Sequence, residues 1–126
     1  MGQRTILVVD DDPDIRDTIK ELLHSDGLEA ATAASGPEAL QILTEGSVGV
    51  VLLDLMMPVM NGAQVVEEMR RREIDVPVIL LSAGRDLGRV SEELDLPALK
   101  KPFELEDLLH QVRSSLIQDI KAPISG

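Results

Sequence analysis

Two short aliphatic runs in this chain stop abruptly on acids. Ile6-Leu7-Val8-Val9 runs into Asp10, Asp11 and Asp12, and Val48-Gly49-Val50-Val51-Leu52-Leu53 runs into a lone Asp54. Continuous aliphatic runs of this length, without polar alternation, are the pattern of strands covered on both faces. Such strands need helices above and below them, which restricts the chain to a layered α/β fold.

The rest of the sequence supplies those helices in alternation with further strands. After the strand at Thr5–Val9, Asp12 is placed to cap a helix that Pro13 opens. Ile15, Ile19, Leu22 and Leu23 form one apolar stripe along it, and Gly27 suits its C′ position. Leu28–Ala33 is a weaker second strand. Ser35-Gly36-Pro37-Glu38 reads as a capping box before a helix burying Ala39, Ile42 and Leu43. The third strand, Val48–Leu53, is followed by a turn-like Asn61-Gly62. That turn opens a helix carrying Val65, Val66 and Met69 and ending in Arg70-Arg71-Arg72. Val76–Leu81 is a fourth strand ending on Ser82, and Asp86–Leu94 is a short, poorly amphipathic helix. Leu96–Lys101 is a fifth strand stopping at Pro102. From about Glu104 a last helix places Leu105, Leu108, Leu109, Val112, Leu116 and Ile120 on one face, before a tail at Ala122–Gly126.

Five βα units predict one α/β domain over residues 1–121. The expected architecture is a doubly wound five-stranded parallel sheet, order 2-1-3-4-5, flanked by five helices. They are too few for an eight-fold barrel. At 126 residues the chain is long enough for a sound core, and its 44% hydrophobic content supports one. Phe103 is the only aromatic residue, so the core is aliphatic and stacking platforms for bases or a flavin are missing. Net charge is −11, from 23 acids against 12 bases. That balance disfavours direct nucleic-acid binding and suits a metal ion or a basic protein partner. No segment approaches the roughly 18 apolar residues of a membrane span, and no signal-peptide pattern opens the chain, so the expected location is the cytoplasm.

In the order 2-1-3-4-5, the polar residues at four adjacent strand ends converge beyond the carboxyl edge of the sheet. These are Asp10 and Asp11 from strand 1, Asp54 from strand 3, Ser82 from strand 4 and Lys101 from strand 5. Strand 2, ending in Ala33-Ala34, contributes nothing. Three clustered carboxylates repel one another, and a hard divalent cation such as Mg²⁺ relieves that repulsion. A metal held this way also serves phosphoryl transfer; Lys101 adds a positive charge and Ser82 a hydroxyl. Asp54, alone on the central strand, is the candidate nucleophile.

The runs Ile6–Pro13, Leu52–Pro58 with Asn61-Gly62, Pro77–Ala83 and Lys101-Pro102-Phe103 together resemble the receiver domain of two-component response regulators. The resemblance extends from about Thr5 to Ile120. It implies a phosphoryl acceptor at Asp54, supplied by a sensor histidine kinase or phosphotransfer protein. It also implies Mg²⁺ on Asp10, Asp11, Asp54 and the Met56 backbone carbonyl, Ser82 as switching hydroxyl and Lys101 as phosphoryl contact. Lys101–Pro102 is expected to be cis. The output is a downstream protein target or a fused output domain, with no membrane and no direct nucleic-acid contact, and the domain is no enzyme beyond assisting its own phosphorylation and dephosphorylation.

Two departures stand out. Ala98 occupies the position, three before the lysine, where receivers carry Tyr or Phe, and the stretch from Ser82 to Lys101 is short. Readout through the helix 4 region is the resulting expectation, with a phosphorylation-independent scaffold as the alternative. An Asp-nucleophile phosphatase is disfavoured because Met56 stands where a second acid is needed. A flavodoxin-like carrier is disfavoured by the missing aromatics and phosphate loop. Among neighbouring residues, Asp12 reads as a cap, and Lys100 as a solvated neighbour that is the one substitute for Lys101. His24 and His110 read as surface residues, Met56-Met57 as loop packing, and Arg70–Arg72 as a solvated helix end.

Overall fold

The computed structural model describes residues 5–121, and for residues 117–121 the backbone alone. Its elements follow as β1 (Thr5–Val9), α1 (Pro13–Ser25), β2 (Ala30–Ala33), α2 (Gly36–Thr44), β3 (Val48–Asp54), α3 (Gly62–Arg71), β4 (Val78–Ser82), α4 (Leu87–Leu94), β5 (Ala98–Lys100) and α5 (Leu105–Lys121). The strands form one parallel sheet in the order β2-β1-β3-β4-β5, as the alternation of elements predicts. Residues 122–126, read from sequence as a tail, lie outside the described residues.

Side chains alternate across the strands, so the sheet has two cores. Leu7, Val9, Val51, Leu53 and Leu80 face Ala39, Leu40 and Leu43 of α2, Val65, Val66 and Met69 of α3, and Leu87 of α4. Ile6, Val8, Val50, Leu52, Ile79 and Leu81 face Ile19 and Leu23 of α1 and Leu108 and Val112 of α5. All seven residues of β3 are buried, which is why that run shows no polar alternation.

Three strands begin later than their apolar runs suggest. Leu28 belongs to the end of α1, its N–H donating to the Leu23 carbonyl while Gly27, at φ +81°, donates to His24. This is a Schellman termination with glycine at C′. Pro77 and Pro97 lack an N–H, so they join the sheet only through carbonyls that accept from Val51 and Leu80. Leu105 departs from the expected apolar face of α5: it sits in the first turn, and its side chain is exposed.

Candidate functional site

Parallel pairing brings the strand ends to one level. Val9 pairs with Leu53, Asp54 with Leu81 and Ser82 with Lys100. The residues that follow therefore emerge together at the carboxyl edge. Asp10, Asp54 and Ser82 are buried, with 1%, 4% and 2% of their surface exposed. Asp11 lies at the exposed rim.

Each buried carboxylate is oriented by local hydrogen bonds. Asp10 Oδ1 accepts from the Asp12 N–H at 2.9 Å, and the Asp10 carbonyl accepts from Arg16 Nη1 at 2.9 Å. Asp12 in turn caps α1, its Oδ1 accepting from the Asp14 N–H, as its place before Pro13 predicts. Asp54 Oδ1 accepts from the Met56 N–H at 3.1 Å. The Ser82 hydroxyl accepts from the Gly84 N–H at 2.9 Å, which fixes the start of the loop into α4.

Lys101 closes the group. Its backbone N–H bonds the Ser82 carbonyl at 2.9 Å, and the cis bond to Pro102 follows. Its Nζ lies 2.8 Å from Asp10 Oδ2 and 3.7 Å from Asp54 Oδ1. Lys100, the sequence alternative, lies on β5 with its side chain exposed, so Lys101 is the lysine beside the carboxylates. His24 and His110 are both exposed.

Burial raises the Asp54 carboxyl from 3.8 to about 6. The Met56 N–H opposes the rise, the Asp10 charge adds to it, Lys101 lowers it and Asp11 raises it slightly. The carboxylate is thus poorly hydrated and has two acidic neighbours that Lys101 only partly offsets, a state that a cation relieves. Asp10, Asp11 and Asp54 each offer an oxygen within 4.8 Å of the other two. An all-oxygen set with one open, exposed side fits a hard divalent ion that retains several waters.

Close approach requires one glycine beside the site and leaves little room at a second. A Cβ on Gly62 would lie 2.7 Å from the Asp54 carbonyl oxygen, so this glycine lets α3 start directly beneath the loop after β3. A Cβ on Gly84 would meet Met56 Sδ at 3.2 Å and Ser82 Oγ at 3.3 Å. Sequence reasoning missed Arg16 and Gly84. Arg16 lies one helical turn from Asp12, a spacing that could have drawn attention to it. The role of Gly84 depends on Met56, which is far away in sequence.

The family model described as the response regulator receiver domain matches residues 6–113. The transcriptional regulatory protein PrrA of Mycobacterium tuberculosis is 40% identical over 114 residues, covering 88% of this chain and 49% of PrrA. Response regulator SaeR of Staphylococcus aureus is 34% identical, covering 88% of this chain and 50% of SaeR. The chain thus spans about half the length of the curated relatives it matches. Among solved structures, response regulator protein TrrA of Thermotoga maritima in complex with Mg²⁺-BeF superposes with a TM-score of 0.82 at 36% identity. It covers 90% of this chain and 100% of TrrA. Chemotaxis protein CheY4 of Vibrio cholerae gives 0.81 at 29% identity, with 91% and 100% coverage. The expectation of no nucleic-acid contact, drawn from charge, gains no support from relatives named as transcriptional regulators. Among the described residues, no helix is long and apolar enough to cross a membrane.

Proposed function

The chain belongs to the response regulator receiver domain family, and on that footing we propose that Asp54 accepts a phosphoryl group from a phosphohistidine. The donor is a sensor histidine kinase or a phosphotransfer protein. The observation that carries this reading is the grouping of Asp10, Asp11 and Asp54, with Lys101 Nζ 2.8 Å from Asp10 and 3.7 Å from Asp54.

An Asp54 carboxylate oxygen attacks phosphorus as the phosphorus–nitrogen bond to the donor imidazole breaks. The leaving nitrogen keeps the electron pair, and the product is a mixed anhydride on Asp54. Burial leaves the Asp54 carboxylate lightly solvated, so little water must be displaced before attack. The Met56 N–H on Oδ1 fixes which face of the carboxylate is presented. Asp10, Asp11, Asp54 and the Met56 carbonyl would hold Mg²⁺, which when bound offsets charge on the phosphoryl oxygens. Lys101 stands within reach of Asp10 and Asp54 and contributes a second positive charge. The Ser82 hydroxyl uses its oxygen to accept from Gly84, which leaves its proton to donate to a phosphoryl oxygen.

The product acts on a downstream protein target or an output domain joined to this one, in the cytoplasm. Intact mass after incubation with Mg²⁺ and acetyl phosphate tests the reading. One added phosphoryl group is expected, absent in Asp54→Ala and prevented by a chelator. Ala98, half-buried on β5 where receivers carry an aromatic, supports a second reading as a phosphorylation-independent scaffold. No mass gain with acetyl phosphate, phosphoramidate and a cognate kinase would favour the scaffold instead.

A further inference from the structure

Among the described residues, every arginine but one is tied down. Arg16 donates to the Asp10 carbonyl, and Arg70 donates to the Leu94 carbonyl at the end of α4. Arg71 and Arg72 pair with Glu68, Arg89 with Asp86 and Glu93, and Arg113 with Asp26. Arg85 has no ion pair or side-chain hydrogen bond among the described residues. It lines a pocket of about 320 Å³ whose wall also includes Met56, Ser82 and Gly84. The only unengaged guanidinium among the described arginines thus stands in the same pocket as the buried Ser82 hydroxyl and the loop that follows Asp54.

Arg85 also leads directly into the least anchored helix. α4 buries one side chain, Leu87, and its N-cap Asp86 makes no side-chain capping bond. Gly88 lies inside it with open space around its α-carbon, which lowers its helix propensity by about 1 kcal/mol relative to alanine. Its far end is fixed: Arg70 bonds the Leu94 carbonyl, and the Ser91 hydroxyl bonds the Leu96 carbonyl. A force applied at Arg85 therefore acts on the loose end of a helix whose other end is held.

We propose that Arg85 reads the phosphorylation state of Asp54. The inference rests on the phosphoacceptor role assigned above and supplies the element that Ala98 leaves out. A phosphoryl group adds negative charge and strong acceptor oxygens at Asp54, and a guanidinium matches such oxygens with paired donors. Arg85 moves across the pocket to the phosphoryl oxygens and carries the start of α4 with it. Phosphorylation is thereby registered as a change at Leu87–Leu94, with no aromatic side chain needed.

The test uses Mg²⁺ with beryllofluoride as a stable stand-in for the phosphoryl group, on the full chain. Hydrogen exchange of the α4 amides and the beryllofluoride binding midpoint are both recorded. In the wild type, saturating Mg²⁺-beryllofluoride changes α4 exchange. In Arg85→Gln the midpoint weakens by about tenfold, and at saturation most of the change at α4 is lost. Arg85→Lys, which restores charge without the paired donors, recovers part of both. Arg85 is exposed, so an unchanged thermal melt excludes misfolding. An Arg85→Gln protein with the wild-type response at α4 overturns the inference alone. A wild-type chain that binds no beryllofluoride and gains no mass from acetyl phosphate overturns the phosphoacceptor reading, and this inference with it.

Discussion

Asp54 is stabilised poorly as an anion. Its folded value of about 6 lies above the ordinary 3.8, so between these values the folded state holds a proton that the unfolded state has released. Stability from this group is therefore present below about pH 4 and is lost as pH rises through 6. Asp54→Asn is expected to stabilise the apo protein at neutral pH by about 1–2 kcal/mol, with partial solvent access allowed for. The gain should vanish near pH 4 in denaturant titrations; an equal gain at both pH values would show that the carboxylate charge is not the cause. At Lys101 the opposite logic applies. Asp10 is buried and bonded to Nζ at 2.8 Å, so Lys101→Met leaves a buried carboxylate short of its partner. The expected loss is about 2–3 kcal/mol without metal, and saturating Mg²⁺ should restore part of it.

Helix ends carry much of the fold's local specification. α1, α3 and α4 all close with the same pair of backbone bonds, and the residue at the left-handed position is Gly27, Glu73 or Asp95. Glycine at the first was visible in the sequence. The other two pay the steric cost that a Cβ imposes at positive φ. Glu73→Gly and Asp95→Gly should each raise the unfolding free energy by up to ~1 kcal/mol, and Gly27→Ala should lower it by about as much. Urea titration checks all three, and a destabilised Glu73→Gly would mean that its side chain contributes more than its backbone costs. At Asn61 the full capping box is present: Asn61 Oδ1 accepts from the Gln64 N–H, and Gln64 Oε1 accepts from the Asn61 N–H. At Ser35 the box is shifted by one residue, because Glu38 reaches the Ala34 N–H instead of its own cap residue.

Over the whole molecule, 23 acids against 12 bases leave the apo site in a field that attracts cations. Mg²⁺ should raise the melting temperature by mass action, worth about 2.7 kcal/mol at a hundredfold excess over Kd. Asp10→Asn should abolish the rise, and a melting temperature indifferent to Mg²⁺ in the parent protein would argue against the ion. The amino-acid sequence determined the architecture because each of its signals is local. Continuous aliphatic runs require two-sided cover, Pro13 and Gly27 bound a helix, and right-handed crossovers then leave little freedom in strand order. It also determined the identity of the strand-end acids, since a carboxylate that ends an apolar strand is conspicuous by itself. Only the tertiary structure decided between Lys100 and Lys101, because the choice depends on which ammonium group the loop after β5 turns toward Asp10. Only it showed Gly84 against Met56, and Arg85 in the pocket beside Ser82 with no ion pair among the described residues. Those relations join residues far apart in the chain, and a sequence carries no distance between them until the sheet has brought its strand ends together.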